Sequence, residues 1–350
     1  MQAYVYHRNK TLTLEQKPKP ELDEINSAVM KVLSCSICGT DVRTFRYGSD
    51  KIQDGRTIGH EAVGEIVDIS SEFSDQFKIG NIVAVAPAIG CGKCPSCRRG
   101  KTNMCDSLET IGFQYDGGFA EYMGVPRQAL VMGNMYVLPQ DDNYAQYSLC
   151  EPLACTINAH SYLNINSGEC VLIFGSGIIG CLHAELAMLA GAGNVIISEP
   201  SAERVLQAQP LLPAVHFVNP NKTDLRERVM ELSDGRGADV AIIACSVGSA
   251  QTQGMNLLAK CGRISLFGGL PGESTGFIDS NLIHYREISV YGVHASTPEQ
   301  NKKAMELLKN GDINLDQYIS KEFSLNDIET ALQAAAEGKL MKAVIVNKRT

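Results

Sequence analysis

The stretch "CVLIFGSGIIG", residues 170–180, constrains the chain more than any other. An apolar run ends in Gly175, Gly177 and Gly180, spaced G-x-G-x-x-G, and passes directly into the apolar segment "IIGCLHAELAMLAGA". The pattern reads as strand, glycine turn, helix. The first glycine permits a tight turn, the second lets the backbone approach a pyrophosphate, and the third lets helix and strand pack closely. Ile178 and Ile179 lie between the last two glycines, at the start of the helix. The same apolar region tempts a transmembrane reading, but His183 and Glu185 interrupt it and its glycines fall where a strand-turn-helix needs them.

Downstream the rhythm continues as "NVIIS", "SAERVLQAQ", "HFV", "DLRERVMEL", "DVAIIAC", "AQTQGMNLLAK" and "RISLFGG". Alternating strands and helices imply parallel strands with crossover helices, a doubly wound sheet. The second strand ends in Glu199, nineteen residues after Gly180. A carboxylate there suits the two ribose hydroxyls of NAD and repels the 2′-phosphate of NADP. Arg204 lies close enough to soften that preference or to stack on adenine. The first ~150 residues differ: short β-branched runs such as "AVGEIVDI" and "IVAVAP" are punctuated by Gly, Pro and Asp.

Two sets of metal-binding residue types stand in that β-rich part. Cys91, Cys94, Cys97 and Cys105 form C-x2-C-x2-C-x7-C. Four thiolates close a tetrahedral shell and leave no position for water or substrate, so the expected role is a structural zinc. An iron–sulfur cluster and a redox dithiol are the rivals, but the usual iron–sulfur run ends C-x3-C-P, whereas here the fourth cysteine follows a seven-residue loop. The second set is scattered: Cys38 in "SICGTD", His60 and Glu61 in "TIGHEAVG", and Glu151 in "LCEPLA". One thiolate, one imidazole and a carboxylate leave a fourth position open, as a catalytic zinc requires. Asp41 is placed to accept the other N–H of His60, and Thr40 to pass on a substrate proton.

The net charge of −8 and pI of about 5.5 provide no basic field for nucleic acid or anionic membrane. They also weigh against a zinc-ribbon regulatory protein. "MQAYVYHRNKTLTLEQ" lacks a signal-peptide layout, so the expectation is a cytoplasmic protein, where clustered thiols bind metal rather than pair.

At this point the motifs carry a resemblance. Cys38-Gly39-Thr40-Asp41, Gly59-His60-Glu61-x2-Gly64, the four-cysteine lobe and the later glycine motif are similar, in order and spacing, to zinc-dependent medium-chain alcohol dehydrogenases. Ser70 and Phe73 depart from the usual far end of the Gly59–Gly64 signature. Glu61 following His60, together with "CEPLA", resembles the polyol (sorbitol or L-iditol) and threonine dehydrogenase branch.

The resemblance implies an α/β protein. A GroES-like β-rich catalytic domain at 1–155 and 285–350 would carry the zinc lobe (90–106), and a Rossmann doubly wound parallel sheet would occupy 156–284. It implies two zinc ions per chain, one catalytic at Cys38, His60 and Glu61 or Glu151, one structural. NAD would contact Gly175, Gly177, Gly180, Glu199 and Arg204, with Ala244, Cys245, Val293 and His294 near the nicotinamide. Arg43, Tyr47 and Phe113 would line the substrate pocket. Arg43 stands where the family often has the histidine that ends a proton relay, and "GVHAS" stands where sorbitol dehydrogenases tend to have "GVFRY". The implied reaction is oxidation of a polyol to a ketose, with a polyol phosphate or L-threonine as alternative substrates, in a homotetramer or dimer.

Overall fold

The computed structural model describes residues 1–139, 143–270 and 278–347. Two compact units divide the chain: Met1–Ala154 together with Ala295–Thr350, and Cys155–His294.

The first unit is built around one strand, Asn26–Ser36, in which only Asn26 and Lys31 escape full burial. It lies inside a seven-stranded sheet, pairing antiparallel with Ala62–Ile69, Tyr122–Pro126 and Lys342–Val346. Such a strand needs apolar residues on both faces, and Ala28, Met30, Val32 and Cys35 provide them. Its register sets Cys35 opposite both Ala62 and Ile345, and Ser36 opposite Val344. The ends of three strands distant in sequence therefore meet beside residues 35–36. A smaller three-stranded sheet joins Leu12–Gln16, Gln2–Tyr6 and Arg56–Thr57. The core includes Tyr4, Met30, Ile66, Phe119 and Met123. At roughly 1.5–3 kcal/mol for each large side chain buried, it supplies most of the drive to fold this unit.

The second unit is a six-stranded parallel sheet in the order His216–Val218, Asn194–Ser198, Cys170–Phe174, Ala238–Ile243, Leu258–Leu266, Ser289–Gly292. Cys170–Phe174, in its middle, is buried at every position. Helices cross between the strands, including Ile178–Leu189, Ala202–Ala208, Leu225–Leu232 and Gly248–Leu257. Side chains start several of them: Ser201 accepts from the Arg204 N–H, and Asp224 accepts from the N–H groups of Arg226 and Glu227. The apolar stretch after residue 170 is thus one five-residue strand and one twelve-residue helix. Among the described residues no helix is long and apolar enough to cross a membrane.

One boundary differs from the sequence reading. Residues 285–294 were expected with the catalytic domain, but Ser289–Gly292 pairs in parallel with Arg263–Leu266 as the outermost strand of the Rossmann sheet. Backbone pairing, which no residue type announces, decides which unit owns that segment.

Candidate active site

Cys38, His60 and Glu61 lie in the first unit and bring one sulfur, one imidazole nitrogen and one carboxylate oxygen within 4.8 Å of one another. Cys38 caps the helix Gly39–Tyr47 in an extended conformation (φ −86°, ψ 155°), and its N–H donates to Asp41 Oδ2 at 2.8 Å. His60 follows Gly59, which adopts φ +95° and would drive a Cβ to 2.7 Å from the Phe119 ring. Only glycine fits there, so the turn that aims His60 is fixed by packing.

Asp41 Oδ1 stands 3.5 Å from His60 Nδ1, close enough for an ion pair, although that nitrogen has no hydrogen-bond partner among the described residues. Burial alone would lower the His60 pKa, but the Asp41 carboxylate and the Cys38 sulfur outweigh it and raise it well above the ordinary value. A buried imidazole flanked by a thiol and a carboxylate is a donor set that fits a zinc site.

Glu61 is 1% exposed. Its Oε2 accepts from Lys342 Nζ at 2.6 Å and from Ser36 Oγ, while Oε1 has no hydrogen-bond partner among the described residues. Sequence reasoning missed both Ser36 and Lys342. A lysine inside the apolar run "MKAVIV" was the available signal, because a charge in a buried strand calls for a partner.

The other expected residues divide. Glu151 lies in the first turn of the helix Cys150–Leu163, outside the Cys38–His60–Glu61 group, although its charge acts on Lys342. Thr40 sits in the first turn after Cys38. Phe113 packs against His60, with ring centroids 5.9 Å apart. Arg43 is exposed. Tyr47 ends the same helix and is 69% exposed. Nine residues of helix carry its backbone about 13 Å along from Cys38.

The four cysteines of the lobe converge, their sulfurs all within 4.8 Å. Backbone N–H groups point at the sulfurs: Cys97 N–H at Cys94, Cys94 N–H at Cys91, and the N–H groups of Cys91 and Ser107 at Cys105. Donors of this kind stabilise thiolates. Those of Cys97 and Asp106 lower the Cys94 pKa to about 6. Burial pushes Cys97 the other way, to about 12. A bound metal ion would hold all four as thiolates, and the donor set fits a closed zinc site.

In the second unit the glycine turn has the expected shape. A Cβ on Gly180 would stand 1.9 Å from the Gly175 carbonyl oxygen, and Gly175 (φ +104°) lies against Ala244 and Cys245. Gly177 precedes the helix N-terminus, where Ile178 and Ile179 make the first turn. Glu199 is 4% exposed. Its Oε2 accepts from the N–H and Oγ of Ser176, and its Oε1 from the Ser201 N–H. It therefore holds the glycine turn from inside, a function the spacing did not reveal. Arg204 is exposed on the following helix, and Val293 and His294 follow the edge strand.

Residues 24–134 match the alcohol dehydrogenase GroES-like domain, and residues 179–310 match the zinc-binding dehydrogenase domain. The chain is 34% identical to an L-threonine 3-dehydrogenase of Pyrococcus horikoshii, covering 95% of this chain and 93% of that protein. It is 28% identical to a sorbitol dehydrogenase of Bacillus subtilis, covering 97% and 94%. A zinc-binding dehydrogenase of Sinorhizobium meliloti bound to NADP superposes with a TM-score of 0.90 at 29% identity, covering 99% of both chains.

Proposed function

The chain belongs to the zinc-dependent medium-chain dehydrogenases, and from its site we propose that it oxidises a secondary hydroxyl of a sugar alcohol to a ketose, passing the hydride to NAD+. The observation that carries this reading is the unequal donor set Cys38, His60 and Glu61. Three protein ligands leave room for a fourth from the substrate, whereas the lobe's four thiolates do not. Glu151 is proposed as a carboxylate that exchanges with Glu61.

Zinc, when bound, supplies a Lewis acid that eases ionisation of a hydroxyl at neutral pH. The residues of the chain do the rest. The Asp41 carboxylate acts on the His60 ring as a buried charge 3.5 Å away, Phe113 packs against the ring, and Thr40 passes the substrate proton outward. A nicotinamide cofactor held at the glycine turn of Gly175, Gly177 and Gly180 would accept a hydride from the carbinol carbon, so one proton and one hydride would leave for each ketone formed. Arg43 is no base at pH 7, and the proton leaves through water or a ribose hydroxyl. Glu199 supports NAD over NADP, since a buried carboxylate repels a 2′-phosphate.

Identity to threonine 3-dehydrogenases as well as to sorbitol dehydrogenases supports a second reading, L-threonine. Both substrates present a secondary hydroxyl beside a second polar group, an amine in one and a hydroxyl in the other. Exposed Arg43 suits a phosphate on a third candidate, a polyol phosphate. A panel of polyols, polyol phosphates and L-threonine, each with NAD+ and with NADP+ and followed by NADH or NADPH absorbance, separates them. Turnover of polyols with NAD+ is the expected result, and turnover confined to L-threonine would overturn the substrate. The Cys38→Ser variant should stay folded, bind one zinc fewer and lose turnover, and retained turnover would refute the centre.

A further inference from the structure

Glu61 is engaged on one side only. Oε2 is held by the Lys342 ammonium at 2.6 Å and by the Ser36 hydroxyl, while Oε1, also buried, has no hydrogen-bond partner among the described residues. The side chains of Lys342 and Glu61 are 3% and 0% exposed. Burying such a pair gains little stability, because the cost of taking two charges out of water offsets their attraction. A well-packed apolar pair would hold these strands equally well, so stability does not account for the lysine.

Charge does. A zinc ion beside the Cys38 thiolate and the Glu61 carboxylate would be neutralised by them. Lys342 adds a positive charge to that balance and draws electron density from the carboxylate. We propose that Lys342 is a positioning residue that competes with the catalytic metal for Glu61, limiting the carboxylate to one weakened oxygen and so keeping a coordination position free for substrate. The strand register makes the competition possible. Ser36 stands opposite Val344, two residues from Lys342, and Glu61 directly precedes the strand paired with Cys35. The inference rests on the reading of Cys38, His60 and Glu61 as the metal centre.

Competition has a consequence that simple packing lacks. Without Lys342 the buried carboxylate has no counter-ion except the metal, so zinc should bind the centre more tightly. The test takes zinc-loaded protein, equilibrates it against graded chelator, and follows both bound zinc and the melting temperature. Wild type should release zinc in two classes, and Cys38→Ser identifies the class that belongs to the centre. In Lys342→Met that class should tighten by about tenfold or more while the lobe class stays unchanged. The zinc-free form should melt lower than wild type, and zinc should raise its melting temperature by more than it raises that of wild type. Lys342→Arg, which keeps the charge, should behave as wild type. Lys342→Gln, which keeps a donor to Glu61 without the charge, covers the case in which the methionine variant does not fold without zinc, and it too should bind more tightly.

Unchanged or weaker zinc binding in the uncharged variants, with loaded and zinc-free forms destabilised alike, would reduce Lys342 to a packing residue and overturn the inference. A wild-type protein with no zinc that Cys38→Ser removes would overturn the inference and the proposed function together.

Discussion

Asp41 acts in two directions from one position. Oδ2 accepts the Cys38 N–H and so completes the start of the helix Gly39–Tyr47, while Oδ1 faces His60 Nδ1 at 3.5 Å. The side chain is 4% exposed, so its charge is little screened. Asp41→Asn keeps an oxygen for the backbone and removes the charge from beside the imidazole. Its helix should survive at a cost of about 1 kcal/mol or less, but zinc affinity at the centre should fall about 10- to 100-fold, as when a partner of a metal-bound histidine is removed. Zinc content after dialysis against a weak chelator, set beside thermal melting, checks this. A variant that melts lower yet keeps its zinc would show Asp41 to be a cap only. Lys342 offers the opposite contrast at the same scale. Removing it leaves Glu61 as an uncompensated buried anion, a loss of about 3–5 kcal/mol in the zinc-free protein. Two neighbours of one centre should therefore move zinc affinity in opposite directions.

Among the elements, the glycine turn shows how far sequence reading reaches. Its spacing is local, and the three glycines are demanded by contacts a Cβ could not make, so the motif could be read directly. The hold of Glu199 on the turn could not. Glu199 lies 23 residues from Ser176, and whether its oxygens face a ribose or a serine depends on how the second strand sits beside the first. Ser176→Ala should loosen the turn and weaken NAD+ and NADP+ alike, by about tenfold, because one hydrogen bond to a buried charge is lost. Glu199→Ala should shift the ratio of the two in favour of NADP+. Equal ratios in both variants, measured by fluorescence titration, would deny Glu199 any part in discrimination. At the start of the strand Cys170–Phe174, Arg263 donates to Glu169. Burial pushes that carboxyl up, but the guanidinium and the Asn166 N–H hold it below the usual range. A carboxyl depressed in the fold stabilises it above the ordinary carboxylate range, and the contribution is lost as pH falls through the depressed value. Glu169→Gln should therefore cost about 1 kcal/mol at pH 7 and progressively less as the solution is acidified below pH 4. Urea melts at the two pH values check the sign, and a cost that grows in acid would contradict it.

Across the whole molecule, what could be read was what the chain writes locally: two cysteine spacings, a histidine–glutamate pair after a glycine, and an alternation of strands and helices. What could not be read depends on pairing between distant segments. Ser289–Gly292 joins the parallel sheet only through its bonds to Arg263–Leu266, and Lys342 reaches Glu61 across 281 residues. On the proposed reading, the most conspicuous motif is also not the one that reacts. The lobe's short elements, Ala88–Ile89, Pro95–Arg98 and Glu109–Thr110, bury few large apolar side chains of their own, so metal must supply what packing does not. Cys97 and Cys105 are its two buried ligands, and the Cys97 sulfur lies 2.9 Å from where a Cβ on Gly90 would stand. Cys97→Ser should lose the lobe's zinc and lower the melting temperature by roughly 5 °C or more, while the fraction that remains folded turns over at the wild-type kcat. Cys38→Ser should lose the other zinc, melt close to wild type and not turn over. Metal analysis, melting and kcat measured on both variants form one crossed experiment. If loss of the lobe's zinc abolished turnover in protein that stays folded, the separation between a closed supporting site and an open reactive one would fail, because four thiolates that fill a tetrahedral shell have no position left for a substrate oxygen.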